Sequence, residues 1–334
     1  VRKFIDQYTG RLRHSVSYML GAANFYIPIF EEALALYDLP LELKFLPVIE
    51  SALDPTAVSR KGATGLWQFM LATAKRYDLK INSLVDERRD PIKSSFAAAQ
   101  YLSDLYKVYG DWNLVIAAYN CGPTSLNKAI HRAGGSKDYW TIYPYLPKET
   151  RGYVPAFIAA NYVMNYYCEH NICPMRAKPL ESNDTVAISK ELHLEQVAAV
   201  CGVEMDKLKA FNPQYKMSLV PGNSYECVLR LPSDAALRFI DLGDSVYSYR
   251  SGELLTKRKT VEVDEEELAK QTATRRRSQS SRNRRSRRSR SVTIRSGQTL
   301  SEIAEKYGTS VSRLRRLNGI KGSNIRAGKK IRVK

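Results

Sequence analysis

FLPVIESALDP, residues 45–55, decides how the rest of the chain is read. One acid, Glu50, closes a run of apolar residues and proline. A carboxyl at the end of such a run is partly desolvated. Desolvation raises its pKa and keeps it protonated near neutrality, the state a general acid needs. Taken alone, the stretch equally supports a surface glutamate at the end of a helix. Asp54-Pro55 ends the helical reading, because the residue before proline is pushed out of the helical region.

Working outward, the periodicity is helical on both sides. Residues 1–40 read as amphipathic helix, with Val16, Met19, Leu20, Ile27, Phe30 and Leu34 at threes and fours. A second helical stretch, 41–50, follows Pro40. Residues 55–66, rich in Ser, Gly, Thr and Arg, read as a loop, and 67–77 as helix. Pro91 opens a long helix to Tyr109, with Phe96, Ala99, Leu102, Leu105 and Tyr106 on one face. Residues 113–120 form a short helix stopped by Cys121-Gly122-Pro123, and 149–167 form another. Nothing before 175 alternates with period two, so 1–175 is expected to be all-α.

After residue 180 the chain repeats itself. At a constant offset of 106, Val292 falls on Val186, Ile294 on Ile188, Leu300 on Leu194, Gly308 on Gly202, Leu314 on Leu208, Asn318 on Asn212 and Gly328 on Gly222, without a gap. Each copy reads as strand, two short helices and strand, a βααβ unit of about 45 residues, a size at which small domains are marginal but do fold. The expected organisation is an α-helical domain over 1–175, a degenerate module over 184–232, a connecting segment over 233–291 and a second module over 292–334. Leu237, Phe239, Ile240 and Tyr247 suggest that the first part of the connection packs. Its end, RRRSQSSRNRRSRRSRS, cannot bury a core and reads as a linker.

The 334 residues leave room for two or three domains. A hydrophobic share of 44% rules out a wholly disordered chain. No window reaches 18 apolar residues without charges, so no transmembrane helix is expected. Val1 in place of Met is read as a removed targeting segment or a trimmed chain. The net charge of +18 sits entirely near the C-terminus: nine arginines and no acid over 275–290, and eleven Lys or Arg against Glu302 and Glu305 over 292–334. Basic runs point to nucleic acid, anionic polymer or membrane. The linker lacks the aromatics a nucleic-acid binder interleaves, so nucleic acid is not expected. Anionic wall polymer or a membrane surface is the partner kept in view.

Five cysteines include one close pair, Cys168 and Cys173, expected as a disulfide or as two buried thiols. Four histidines, none at HxxxH spacing, offer no common zinc pattern, so neither metal nor cofactor is expected. Cys121 reads as a small buried residue, since no histidine lies near it in sequence to activate it. Trp67 and Phe69 read as core aromatics.

Glu50-Ser51, Ser59 nine residues on, GLWQFM (65–70), AAYN (117–120) and LPKETRGYVP (146–155) together resemble the lytic transglycosylases of the soluble-transglycosylase type, which share the goose-type lysozyme fold. SGQTLSEIAEKYGTS and LNGIKGSNIRAGKKI resemble a LysM module. The order of the two is similar to that in the membrane-bound lytic murein transglycosylase D group. The fold class implied is a mainly α lysozyme-like catalytic domain with small α+β (βααβ) LysM modules. The activity implied is non-hydrolytic cleavage of the MurNAc-β-1,4-GlcNAc bond of peptidoglycan glycan strands, in the periplasm or cell envelope. An outer-membrane lipoprotein is one form of this, although no lipobox cysteine is present in this chain.

The resemblance makes Glu50 the sole acid/base, where other glycosidases use two carboxylates. Asp54 is the only nearby second acid, and a turn role before proline suits it better. Ser51 would fix the local backbone, Ser59 would bond near the N-acetyl group, and Gln68 and Met70 would line the sugar cleft. Tyr119 would place its hydroxyl near the reacting sugar, while Asn120 would brace the helix end. Glu149 would influence the protonation of Glu50, and Tyr153 would stack or bond at the cleft. In the second module the glycan groove maps to Gly297, Gln298, Thr299, Leu300 and the stretch from Ile320 to Ile325. The first module has Glu191-Leu192-His193 where the second has Gly297-Gln298-Thr299, which puts its glycan binding in doubt. The rival readings are a goose-type lysozyme-like hydrolase and a non-catalytic cell-wall scaffold.

Overall fold

The first turns of the chain already depart from one continuous helix. In the computed structural model, which describes residues 1–175, 183–255, 291–320, 322 and 325–333, helices Arg2–Thr9 and Arg13–Leu36 are separate. They part at Gly10, where a Cβ would lie 2.8 Å from the Asp6 carbonyl oxygen. The second helix buries Val16, Met19, Leu20, Phe30, Ala33 and Leu34 against helix Pro91–Tyr109, which buries Ala97, Ala98, Ala99, Leu102 and Leu105. Helix Trp112–Cys121 lies against the latter with Leu114 to Ala118 buried. Helix Tyr153–Asn165 completes the layer.

The helix carrying Glu50 is short. A 3-10 turn Leu41–Phe45 leads into helix Leu46–Ser51, with Pro47 in its first turn. Two consecutive left-handed residues, Ala52 at φ 54° and Leu53 at φ 61°, stop it before the Asp54-Pro55 junction. The helix expected over 67–77 begins only at Leu71 and ends at Arg76. Residues 57–70 instead fold into a looped ribbon, with bridges Val58–Thr64 and Thr64–Phe69. Two features force this. Trp67 and Phe69 both enter the core, and Gly65 at φ 89° sits where a Cβ would meet the Arg88 carbonyl oxygen at 1.8 Å. An L-residue fits neither that space nor that backbone angle.

Other boundaries shift for local reasons. Gly122 ends one helix and Pro123 starts the next, Pro123–Arg132, because proline suits the first helical position. The helix expected over 149–167 is two helices, Lys148–Arg151 and Tyr153–Asn165, on either side of Gly152. After it the loop carbonyls of His170 and Cys173 turn onto Arg13 and Ser17. Cys168 and Cys173 are therefore exposed free thiols, neither bridged nor buried; Cys201 and Cys227 are the buried pair, and Cys121 is half-buried.

The first module pairs Asn183–Ile188 antiparallel with Cys227–Pro232 around helices Leu194–Cys201 and Met205–Phe211. Helix Ser233–Leu242 adds Ala235, Ala236 and Phe239 to the same core, and Val246 joins from the next short helix. These elements and residues 1–175 fall in one compact unit, 1–265. The second unit, 266–334, holds the other module: Ser291–Thr293 paired with Lys330–Arg332 around helices Leu300–Lys306 and Val311–Asn318. The Arg-rich run 275–290 lies outside the described residues.

One contact recurs in both modules and fixes their true alignment. Asn212 donates to the Arg230 carbonyl at 2.8 Å and accepts from its N–H at 2.9 Å. Asn318 does the same to Arg332, at 2.8 and 2.7 Å. The partners are 18 positions apart in the first copy and 14 in the second. The gapless offset of 106 therefore holds through both helices and fails at the closing strand, where the first copy carries four extra residues.

Candidate functional site

Glu50 projects from the end of its short helix toward helix Tyr153–Asn165, and the Tyr153 hydroxyl donates to its Oε1. Burial raises the Glu50 pKa to about 7, against a smaller lowering by the Tyr153 bond. The residue as a whole is half-buried, so crowding around the carboxyl rather than full enclosure produces the shift. Tyr153 and Tyr119 stay protonated: burial and the charge of Glu50 both push their pKa values well up. Around a carboxyl poised near neutrality, the structure thus places neutral hydroxyls.

The loop 57–70 is tied to the Glu50 helix through Ser51 and to Tyr119, whose hydroxyl feels the charge of Glu50. The Ser51 hydroxyl donates to the Leu66 carbonyl at 2.9 Å and to the Pro47 carbonyl at 3.1 Å. Tyr119 donates to the Trp67 carbonyl at 2.7 Å, so its hydroxyl braces this loop. Trp67 is fully buried, with its indole N–H on Ser95 Oγ at 2.9 Å. Gln68, at φ 48°, spends its amide nitrogen on the carbonyls of Gly65 at 2.9 Å and Ala57 at 3.2 Å. Ser59 is exposed and accepts from the Ala63 N–H at 3.0 Å, while Met70 is an exposed apolar side chain. Asn120 accepts from the buried Thr150 hydroxyl at 2.9 Å, tying the helix end to the 146–155 element.

Glu149 departs from its expected role. It is exposed and paired with Lys61 at 3.2 Å, and it takes no part in displacing Glu50. Asp54 is turned into its own loop, accepting from the Thr56 N–H at 2.8 Å and hydroxyl at 2.7 Å. No carboxylate is therefore among the groups that shift Glu50. Sequence reasoning missed Thr150 and Tyr101. Tyr101 packs on Tyr119 at 5.4 Å and on Tyr77 at 5.4 Å, a tyrosine row whose last hydroxyl donates to Asp104. Tyr101 lies on helix Pro91–Tyr109, whose apolar pattern hides it, and Thr150 lies between charged residues on the short helix Lys148–Arg151. Among the described residues no cluster of His, Cys, Asp and Glu could hold a metal ion.

In the second module an open cleft is lined by Gly297, Gln298, Thr299, Leu300 and Ile325, with Arg295 and Arg315 beside them. Thr299 caps helix Leu300–Lys306 in a capping box with Glu302. Ile320, expected at the groove, packs against the module core, as does the cleft-lining Ile325. Residues 321, 323 and 324 of the expected groove lie outside the described residues.

Residues 28–142 match the family described as the transglycosylase SLT domain, 182–248 the LysM-like domain of lytic transglycosylase MltD, and 292–334 the LysM domain. The chain is 31% identical over 300 residues to membrane-bound lytic murein transglycosylase D of Escherichia coli (strain K12), a match taking in 89% of this chain and 60% of that protein. It thus spans about three-fifths of that relative's length. It is 36% identical over 117 residues to membrane-bound lytic murein transglycosylase F of Maricaulis maris (strain MCS10), covering 31% of this chain and 24% of that one. Among solved structures, the 70 kDa soluble lytic transglycosylase of Escherichia coli matches with 27% identity and a TM-score of 0.38, over 43% of this chain and 24% of that chain.

The raised pKa of Glu50 has a consequence for stability. Between about 4.5, its ordinary value, and about 7 the native state holds a proton that the unfolded chain has lost. Its contribution is therefore fully present below 4.5 and is lost as pH rises through 7. Glu50→Gln cannot ionise and escapes this loss. Its stability should equal that of the wild type near pH 4 and exceed it at pH 8, by up to about 3 kcal/mol. Urea unfolding of both proteins at the two pH values measures the difference.

Proposed function

We propose that this chain, whose residues 28–142 match the transglycosylase SLT domain and whose residues 182–248 and 292–334 match LysM-like and LysM domains, cleaves the MurNAc-β-1,4-GlcNAc bond of peptidoglycan without water. The observation that carries this reading is the solitary carboxyl of Glu50, desolvated to a pKa of about 7 and bonded to Tyr153, with Asp54 and Glu149 both turned to other partners. A lone group near neutrality can serve as acid and then as base.

In the first step Glu50 gives its proton to the glycosidic oxygen and the GlcNAc side departs. The charge developing at C1 of MurNAc has no enzyme carboxylate to meet it, so the acetamido oxygen of the same sugar stabilises it. In the second step the Glu50 carboxylate takes the proton of the C6 hydroxyl. The C6 oxygen closes on C1, leaving a 1,6-anhydroMurNAc end and Glu50 protonated again. The Tyr153 hydroxyl, kept neutral by its surroundings, holds Oε1 throughout. In this reading the reaction is a lyase elimination, Met70, Gln68, Ser59 and Asn120 border the sugars, and the loop fixed by Ser51 and Tyr119 sets the distance of the glycan from Glu50.

The second LysM module would hold neutral glycan in its cleft, and the nine arginines of 275–290 would add attraction to anionic wall polymer or lipid headgroups. The names of the relatives point to the cell envelope. No helix among the described residues is long and apolar enough to cross a membrane.

Glu50→Gln should lower glycan cleavage by at least about 100-fold while sacculus binding stays intact. Mass analysis of wild-type muropeptides should find 1,6-anhydro ends. Predominantly reducing ends would make the enzyme a hydrolase, with Asp54 as the water activator to test. Cleavage surviving in Glu50→Gln would remove the single-acid mechanism. Replacing the nine linker arginines by serine should abolish only the part of sacculus binding that fades as the Debye length falls from about 10 Å at 0.1 M salt to about 3 Å at 1 M. Equal salt dependence before and after substitution would contradict the linker's role.

A further inference from the structure

The first LysM-like module differs from the second at the place where the second has its cleft. Where the second carries Gly297-Gln298-Thr299, the first forms strand Glu191–His193, paired antiparallel with Leu219–Pro221. Leu192 and Val220 are fully buried in this ladder, and Gly222 packs so closely that a Cβ would lie 2.4 Å from the Lys190 carbonyl oxygen. The two loops that border the open cleft in the second copy are zipped together in the first. The four extra residues of this copy fall between its second helix and its closing strand, the segment that supplies Leu219–Pro221.

The same module grips the transglycosylase domain. Leu84 and Val85 of the 82–90 loop are buried in the module's own core. Asp86 N–H donates to the Gln214 carbonyl at 2.9 Å, and Lys216 N–H to the Leu84 carbonyl at 2.9 Å. Arg230 of the closing strand meets Asp90 in a bidentate pair at 2.9–3.0 Å, with both side chains more than nine-tenths buried. Asp90 also caps helix Pro91–Tyr109, accepting from Ile92 and Lys93 at 3.0 Å. A buried carboxylate satisfied this fully is fixed in place.

From this loop two short routes reach the cleft. Arg88, paired with Asp86 inside the protein, donates through Nη1 to the carbonyls of Gly62 at 3.1 Å and Phe69 at 3.2 Å. One turn into the helix capped by Asp90, Ser95 receives the Trp67 indole N–H, and the Trp67 carbonyl receives the Tyr119 hydroxyl. Both routes end on residues 57–70, the loop bonded to Ser51 beside Glu50 and to Tyr119.

We propose that the first LysM-like module is a positioning element for the cleft and not a glycan reader: its closed groove frees it from ligand binding, and through Arg230, Asp90 and Arg88 it holds the 57–70 loop at its working distance from Glu50. This rests on the reaction proposed above. Misplacement of a substrate wall by about 1 Å costs about 100-fold in rate, so a loosened anchor lowers turnover before it unfolds the domain.

The test uses the full chain. In the paired variant Asp90→Asn with Arg230→Met both buried charges leave together, and Asn keeps the helix cap. Expected is a fall in kcat of about 10-fold or more with KM changed less than about 2-fold. Amide exchange over 57–70 should accelerate about 10-fold while helix Pro123–Arg132 keeps its protection. Arg88→Lys keeps the charge beside Asp86 but loses the fork to Gly62 and Phe69, and should give the same pattern. Arg230→Lys should recover part of what Arg230→Met loses.

Unchanged exchange over 57–70, or a loss of kcat that follows exchange throughout the domain, overturns the proposal. So does chitooligosaccharide binding to the Gly297→Trp full chain that protects the amides of Glu191–His193 and Leu219–Pro221. Should the paired variant fail to fold, Arg88→Lys carries the same two outcomes. Reducing ends in wild-type digests would remove the transglycosylase reading and leave the exchange comparison intact.

Discussion

The cost of taking the Glu50 carboxyl out of water governs the cleft. Burial withdraws solvent from this group, and the Tyr153 hydroxyl offsets only part of the loss. The proton is therefore held to about neutral pH, and the neutral tyrosines stay neutral beside it. A carboxyl near pH 7 sits at the point where giving and taking a proton are equally accessible, which is what a reaction using one group for both steps demands. The remaining architecture keeps that environment in register: Ser51 and Tyr119 pin the 57–70 loop, and Thr150 ties Asn120 to the last element of the site.

Much of this was legible in the sequence because it rests on local chemistry. The apolar run before Glu50 announced a desolvated acid, and the buried Trp67 and Phe69 followed from ordinary aromatic packing. The 67–77 stretch misled because its helical pattern is real, yet tertiary packing overrides it. Gly65 must lie on the Arg88 carbonyl, and Gln68 takes a left-handed angle that no propensity suggests. Glu149 and Lys61 are 88 positions apart, so nothing near either residue showed that the carboxylate was already engaged. Tyr101 acts through partners far along the chain and carries no motif of its own, whereas Thr150 lies within the 146–155 stretch but bonds Asn120, 30 positions away.

The two modules carry different loop surfaces on one βααβ frame. Helices and the asparagine clamp are kept, with His193 and Gln196 taking over the capping that Thr299 and Glu302 perform in the other copy. The difference lies in loops. A glycine-bearing turn leaves a cleft open, whereas a residue set with strand character closes it by pairing Glu191–His193 with Leu219–Pro221. The gapless alignment of the copies concealed this, because the helices dominate the match and the insertion falls where both copies are polar and variable in spacing. The closed module then buries Leu84 and Val85 of its neighbour, an association that only the three-dimensional structure reveals.

Direct titration of Glu50 bears most closely on the solitary-acid site. The carboxyl carbon signal of Glu50 in isotopically labelled protein, identified by its absence in Glu50→Gln, can be followed from pH 4 to pH 9. The expected result is one transition centred near 7, with no second step from a coupled carboxylate. A midpoint near the ordinary value of 4.5, or a biphasic curve shared with Asp54 or Glu149, would contradict a lone desolvated acid.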